Sequence, residues 1–122
     1  MAPPLLTVEP LGNGAVRVVR LSGELDLDSS REIGDTLLDL VPDQAEGLVA
    51  DLSELRYVDS AGVRLFVELS ERLERNRQKL ALVVPEGAAI SRVLSLVKLD
   101  LLVAVHESTA EAIGAIAPVP DR

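Results

Sequence analysis

The sequence predicts an α/β domain: a small mixed β-sheet of about five strands, opening with an antiparallel hairpin and packed with about four helices. Two β-like runs flank an Asn-Gly pair near the N-terminus, and the later apolar runs alternate between short strand-like stretches and longer stretches of helical period. A chain of 122 residues can also bury roughly two-thirds of its unfolded surface, enough for one core without disulfide staples.

The hairpin is expected from Leu5 to Glu9 and from Ala15 to Leu21, with Gly12-Asn13-Gly14 supplying positive φ angles at the turn. Ser29 and Glu32 stand in capping-box spacing ahead of Ile33, Leu37, Leu40 and Val41, which marks a first helix ended by Pro42. Leu48 to Asp51 reads as a buried strand whose end carries a carboxylate. A second helix starts around Ser60, with Leu65, Phe66, Leu69 and Leu73 as its core stripe and Arg64, Glu68 and Arg72 on its wet side; Val63 and Val67 lie beside the stripe and are expected to stay exposed. Leu80 to Val84 is the next strand, stopped by Pro85 and Gly87. Ile90, Val93, Leu94 and Val97 mark a third helix, and Leu101 to Val105 a last strand. Ser108 and Glu111 repeat the capping-box spacing before a final helix through Ile116. The domain is therefore expected over 1–116, with 117–122 a disordered tail.

Composition excludes several kinds of function. The net charge of −8 disfavours nucleic acid and anionic membrane, both of which attract cationic proteins, and aromatics at 2% leave no platform for stacking bases. With no Cys and one His, neither thiolate chemistry nor a zinc site has its ligands. His106 and Tyr57 read as structural or surface residues, and Ser22 and Ser53 have no adjacent base, so no enzymatic activity and no cofactor are expected. No basic segment followed by an apolar one opens the chain, and its apolar runs are short and broken by charge; a cytoplasmic protein is expected.

The segment Asp59-Ser60-Ala61-Gly62 joins a loop to the second helix. Ser60 reads either as a plain N-cap or as a site of phosphorylation, because the free N–H groups of a helix's first turn suit both a hydroxyl and a phosphate. Unlike the helix starts at Ser29 and Ser108, Ser60 has Val63 and no Glu three residues on, which leaves the expected terminus freer to hold a phosphoryl group. Gly62 either admits a partner closely or allows tight packing on the sheet.

The strings VRLSGELDLDSS (19–30), LVADLSELRYVDSAGVRLF (48–66) and PEGAAISRVLSLVKLDLLVAV (85–105) resemble the anti-sigma factor antagonists of the STAS domain family, in order and over nearly the whole chain. The D-L-S-x-L-x-x-V-D-S-A-G-V segment is the most specific of them. The resemblance implies a single STAS domain that binds an anti-sigma factor with a histidine-kinase-like ATPase domain, thereby releasing a sigma factor. That partner would switch it off by phosphorylating Ser60, and a Ser/Thr phosphatase would reset it. It also implies that Asp26 of the GELD segment lies near Ser60. Partner contact is expected at Asp26, Asp59, Ser60, Ala61, Gly62, Val63 and Val67, the two valines serving alternatively in a homodimer. Two positions depart from the family pattern: Ala61 replaces a frequent second hydroxyl, and Lys98 stands where a small residue or Gly is common. Two rivals remain. A STAS scaffold or binding subunit in a stress-signalling or lipid-transport complex would use Ser60 only as a cap. A phosphoaspartate receiver would use Asp51 with Asp26 or Asp28, but VVPEGA lacks the Lys such a site needs.

Overall fold

The computed structural model of the chain describes residues 6–117. Strand β1 (Leu6–Asn13) pairs antiparallel with β2 (Val16–Leu25), which is followed by helix α1 (Leu27–Asp39) and strand β3 (Gly47–Val58). Helix α2 (Ser60–Arg75) leads to β4 (Lys79–Val83), and helix α3 (Ser91–Leu96) with a 3-10 turn (Leu99–Leu101) leads to β5 (Ala104–His106) and helix α4 (Thr109–Ile116). The sheet order is β1-β2-β3-β4-β5, with every pair after the hairpin parallel.

Alternation along the strands divides the core in two. Leu48, Ala50 and Leu52 of β3 face the larger cluster, built with Ile33 and Leu37 of α1, Leu65, Phe66, Leu69 and Leu73 of α2, and Leu94 of α3. Val49, with Val16, Val18, Ala81 and Val83, faces the other side, where Ala112 and Ile116 of α4 cover it. The helical stripe read from the sequence in α2 is buried as expected.

Several boundaries differ from the sequence reading, each for a local reason. The hairpin forms, but its bend lies at Gly14-Ala15 and Gly14 does not take a positive φ; the register irregularity between Pro10 and Gly12 supplies the slack instead. Helix α1 begins earlier than Ser29. Asp26 is its N-cap, accepting from the Ser29 amide while Ser29 Oγ accepts from the Asp26 amide, a reciprocal box that makes Glu32 unnecessary. Strand β3 runs seven residues past Asp51, because β2 is long enough to keep pairing with it beyond the end of β4. In α3 only Leu94 is buried, and Val93 and Val97 are open to solvent. The last strand starts at Ala104, since Leu101 and Leu102 lie in and just after the 3-10 turn. Ser108 caps α4 as expected, accepting from the Glu111 amide at 3.2 Å. Ala117 caps the other end of that helix, and the rest of the expected tail lies outside the described residues.

Gly62, in the first turn of α2, sits against β2 and β3. A Cβ there would lie 2.5 Å from Val58 Cγ2 and 3.0 Å from Leu25 Cγ, so tight packing explains this glycine. Gly114 in α4 has nothing within 4 Å of the same position. Opposite outcomes follow for one substitution. Gly62→Ala is expected to lower stability by about 1–2 kcal/mol, overpacking outweighing the better helix propensity of Ala. Gly114→Ala is expected to raise it by about 0.5–1 kcal/mol. Urea unfolding of both variants checks the pair; equal shifts would contradict the packing argument.

The Asp26 cap also makes stability depend on pH. The Ser29 amide, and then the Ser29 hydroxyl, hold the Asp26 carboxyl below its ordinary value. A carboxyl depressed in the folded state stabilises fully above its unfolded pKa, about 3.9, and that stabilisation is lost as pH falls through the folded value. The difference in urea midpoint between wild type and Asp26→Ala is therefore expected to be constant above about pH 5 and to narrow below about pH 4. A difference that does not change with pH would exclude the charged cap.

Candidate functional site

The sequence reading placed Ser60 at the head of α2, either as its N-cap or as a site of phosphorylation. The cap is Asp59, and Ser60 is the first helical residue, exposed to solvent. Asp59 Oδ1 accepts from the amides of Ala61 at 2.9 Å and Gly62 at 3.1 Å. Its other oxygen, Oδ2, accepts at 3.2 Å from the amide of Leu27, the first residue of α1. The Asp59 amide donates to Leu25 O at the end of β2. A hydroxyl has one oxygen and cannot span two helix starts, whereas a carboxylate can. This corrects the expectation that the terminus is free to hold an anion: its amides are taken by Asp59, and Ser60 Oγ stands outside that arrangement.

Asp26 and Asp59 thus cap neighbouring helices at the C-terminal ends of β2 and β3, joined through Leu27. Ala61 is half-buried, and Gly62 is buried with its amide bonded to Asp59. Val63 and Val67, expected to be exposed, are half-buried and packed against the main core; the helix turns them toward the sheet more than their offset from the stripe suggested. The open apolar surface near Ser60 comes instead from residues the sequence reading did not select. Leu27 is 53% exposed, and Tyr57, on the strand end leading into Asp59, is 49% exposed. An apolar residue ahead of the core-facing period of α1 was the available signal for Leu27. A groove of about 360 Å3 runs between α1 and α2, with Leu27, Arg31, Ala61 and Arg64 among its lining.

The other candidates have structural roles or stand alone. Asp51 is buried, with Arg20 Nε 3.2 Å from its Oδ2 and the Ser53 amide donating to its Oδ1 at 2.9 Å. A carboxylate engaged in this way is a paired structural group, which argues against the phosphoaspartate reading. Among the described residues, no group of three or more His, Cys, Asp or Glu is placed to hold a metal ion. His106 is half-buried in β5, at the opposite side of the sheet from the hairpin.

Comparison with known proteins places this geometry. The family description "Mlab, STAS domain" matches residues 12–104. The anti-sigma-F factor antagonist RsfB of Mycobacterium tuberculosis is 29% identical over 99 residues, covering 81% of this chain and 80% of that protein. The anti-sigma-B factor antagonist of Staphylococcus aureus is 27% identical over 104 residues, covering 85% of this chain and 95% of its own. The crystal structure of an anti-sigma factor antagonist from Mycobacterium paratuberculosis superposes with a TM-score of 0.78 at 25% identity, over 94% of this chain and 97% of that one. With the family match spanning most of the sequence and the five-stranded mixed sheet agreeing with it, the chain belongs to the STAS domain family, and the relatives named here are anti-sigma factor antagonists.

Proposed function

We propose that this chain is an anti-sigma factor antagonist, acting by binding rather than turnover, and that Ser60 is its switch. Unphosphorylated, it binds an anti-sigma factor carrying a histidine-kinase-like ATPase domain and so frees a sigma factor. Phosphorylation of Ser60 by that partner ends the binding, and a Ser/Thr phosphatase restores it. The observation that carries this reading is the exposed Ser60 hydroxyl at the first position of α2, unencumbered because Asp59 does the capping. A kinase can reach such a hydroxyl without opening the helix.

Phosphorylation would add about −1.5 to −2 charges next to the Asp59 carboxylate, at a terminus whose first amides are already occupied. The dianion gains little from the helix and repels Asp59 and Asp26, so a partner surface shaped for a neutral hydroxyl rejects it. A loss of about 1.4 kcal/mol already gives a tenfold change in affinity. Around Ser60, partner contact belongs to Asp26, Asp59 and Ala61, with Leu27 and Tyr57 as the apolar anchors. Gly62, Val63 and Val67 support that surface, Gly62 from inside and the valines through their exposed edges. No helix among the described residues is long and apolar enough to cross a membrane; the proposed site of action is the cytoplasm.

A pull-down from native lysate with wild type, Ser60→Ala and Ser60→Asp in parallel tests the proposal. Wild type and Ser60→Ala are expected to retain a histidine-kinase-like ATPase that Ser60→Asp binds at least tenfold more weakly. Incubation of the captured partner and ATP with wild type should then add one phosphoryl group to the peptide containing Ser60. If all three baits hold one partner equally, Ser60 is not a switch and the chain is a STAS scaffold, whose assembly that partner identifies.

A further inference from the structure

We propose that Arg64 and Arg31 form a receiving site for the phosphoryl group on Ser60, drawing the modified serine onto the head of the groove between α1 and α2. The inference rests on the reading of Ser60 as phosphoacceptor and adds what becomes of the phosphate. Ser60 and Arg64 stand at i and i+4 on α2, neighbours on the helix surface with Cβ atoms about 5–6 Å apart. Helical side chains lean toward the N-terminus, so Arg64 covers the turn that Ser60 begins. Arg31 holds the same place on the neighbouring helix, four residues after Leu27 as Arg64 is four after Ser60. The Asp59 clamp sets the starts of α1 and α2 side by side, and one turn further along both arginines line a single groove with Ala61.

Both arginines are exposed and uncommitted. Among the described residues neither has a carboxylate within ion-pair distance, whereas Arg20 pairs with Glu9 and Asp51, and Arg72 with Asp35. The acids of the next turn, Asp35 and Glu68, also line the groove, and Asp35 is turned to Arg72 at 3.8 Å. Because Asp59 takes the amides of Ala61 and Gly62, a phosphate on Ser60 has to find its donors among side chains. A guanidinium suits it, offering two parallel N–H groups to phosphate oxygens. The other ionisable groups around it are Asp26, Asp28 and Asp59 at the two helix heads, Glu24 at the end of β2, and Arg56 and Tyr57 near the end of β3. Without Arg31 and Arg64 the dianion would therefore sit in a mainly acidic setting. Captured by them, it lies over the head of the groove where Leu27 is exposed, and it neutralises two cations that the unmodified surface offers a partner.

Phosphoserine installed at position 60 during synthesis of the full chain, so that no kinase is needed, tests the site by 31P NMR titration. An unperturbed phosphoserine takes up its second proton at about pH 6. Neighbouring arginines favour the dianion and lower that value, whereas carboxylates without them raise it. In the wild-type background the value is expected below about 6, and the double variant Arg31→Gln/Arg64→Gln should bind the second proton at least about threefold more tightly. Each single variant should fall between the two. Arg75→Gln removes the same charge from the far end of α2 and should titrate like wild type. A wild-type value at or above about 6, a double variant that titrates like wild type, or an equal effect of Arg75→Gln overturns the proposal. The titration and the pull-down fail separately: a serine that no kinase modifies still titrates when phosphoserine is installed, and an unperturbed titration leaves the comparison of the three baits standing.

Discussion

One carboxylate organises the end of the sheet at which α1 and α2 begin. Asp59 satisfies two amides at the start of α2 and one at the start of α1, while its own amide closes onto the end of β2. The first N–H groups of a helix have no partners within it, and two helices starting side by side would present several such donors together. A single acceptor group with two oxygens settles three of them and sets the spacing of the helices in doing so. Because α1 and α2 cover the sheet on the side of the larger core cluster, their relative placement also determines how Ile33, Leu37, Leu65 and Phe66 meet over it.

The same arrangement explains how a switch could sit here without endangering the fold. The groups that hold the helix start are Asp59 and the backbone, with Gly62 tucked against Val58 and Leu25, and none of them is the hydroxyl of Ser60. Charge added at Ser60 therefore acts outward, on whatever faces the helix start, before it acts on the core. At the opposite end of the sheet the constraint is neutral. Gln78, buried between α2 and β4, donates from Nε2 to Pro42 O at 2.8 Å and Ala45 O at 3.0 Å and ties down the loop that enters β3. The two ends are anchored by different chemistry, one charged and surface-facing, the other buried and insensitive to pH.

Much of the architecture was legible because it follows from periodicity. The core stripe of α2, the buried runs of β3 and β4 and the opening antiparallel hairpin each repeat a pattern that one segment can state alone. The errors cluster where a segment's neighbours decide. Ser29 was credited with a cap held by Asp26, and Ser60 was weighed as a cap where Asp59 is one, since both Ser and Asp are good caps and the choice rests on which oxygen reaches the amides. Strand β3 outran its apolar core because β2 continued to pair with it. Val63 and Val67 are half-buried against the core, while Leu27 and Tyr57 are exposed.

The sequence by itself determined the fold class, the family motif and the position of the one serine that heads α2, because local pattern and residue type carry that information. Tertiary structure decided what each motif residue does. Asp59 became a clamp on two helices because folding brought Leu27 to its second oxygen across 32 positions of chain. Gly62 became a packing contact because Leu25 and Val58 converge on it, and of the two leucines of α3, Leu94 was buried in the core while Leu96 was left in solvent. These outcomes depend on distances between residues far apart in the chain, which no stretch of sequence contains.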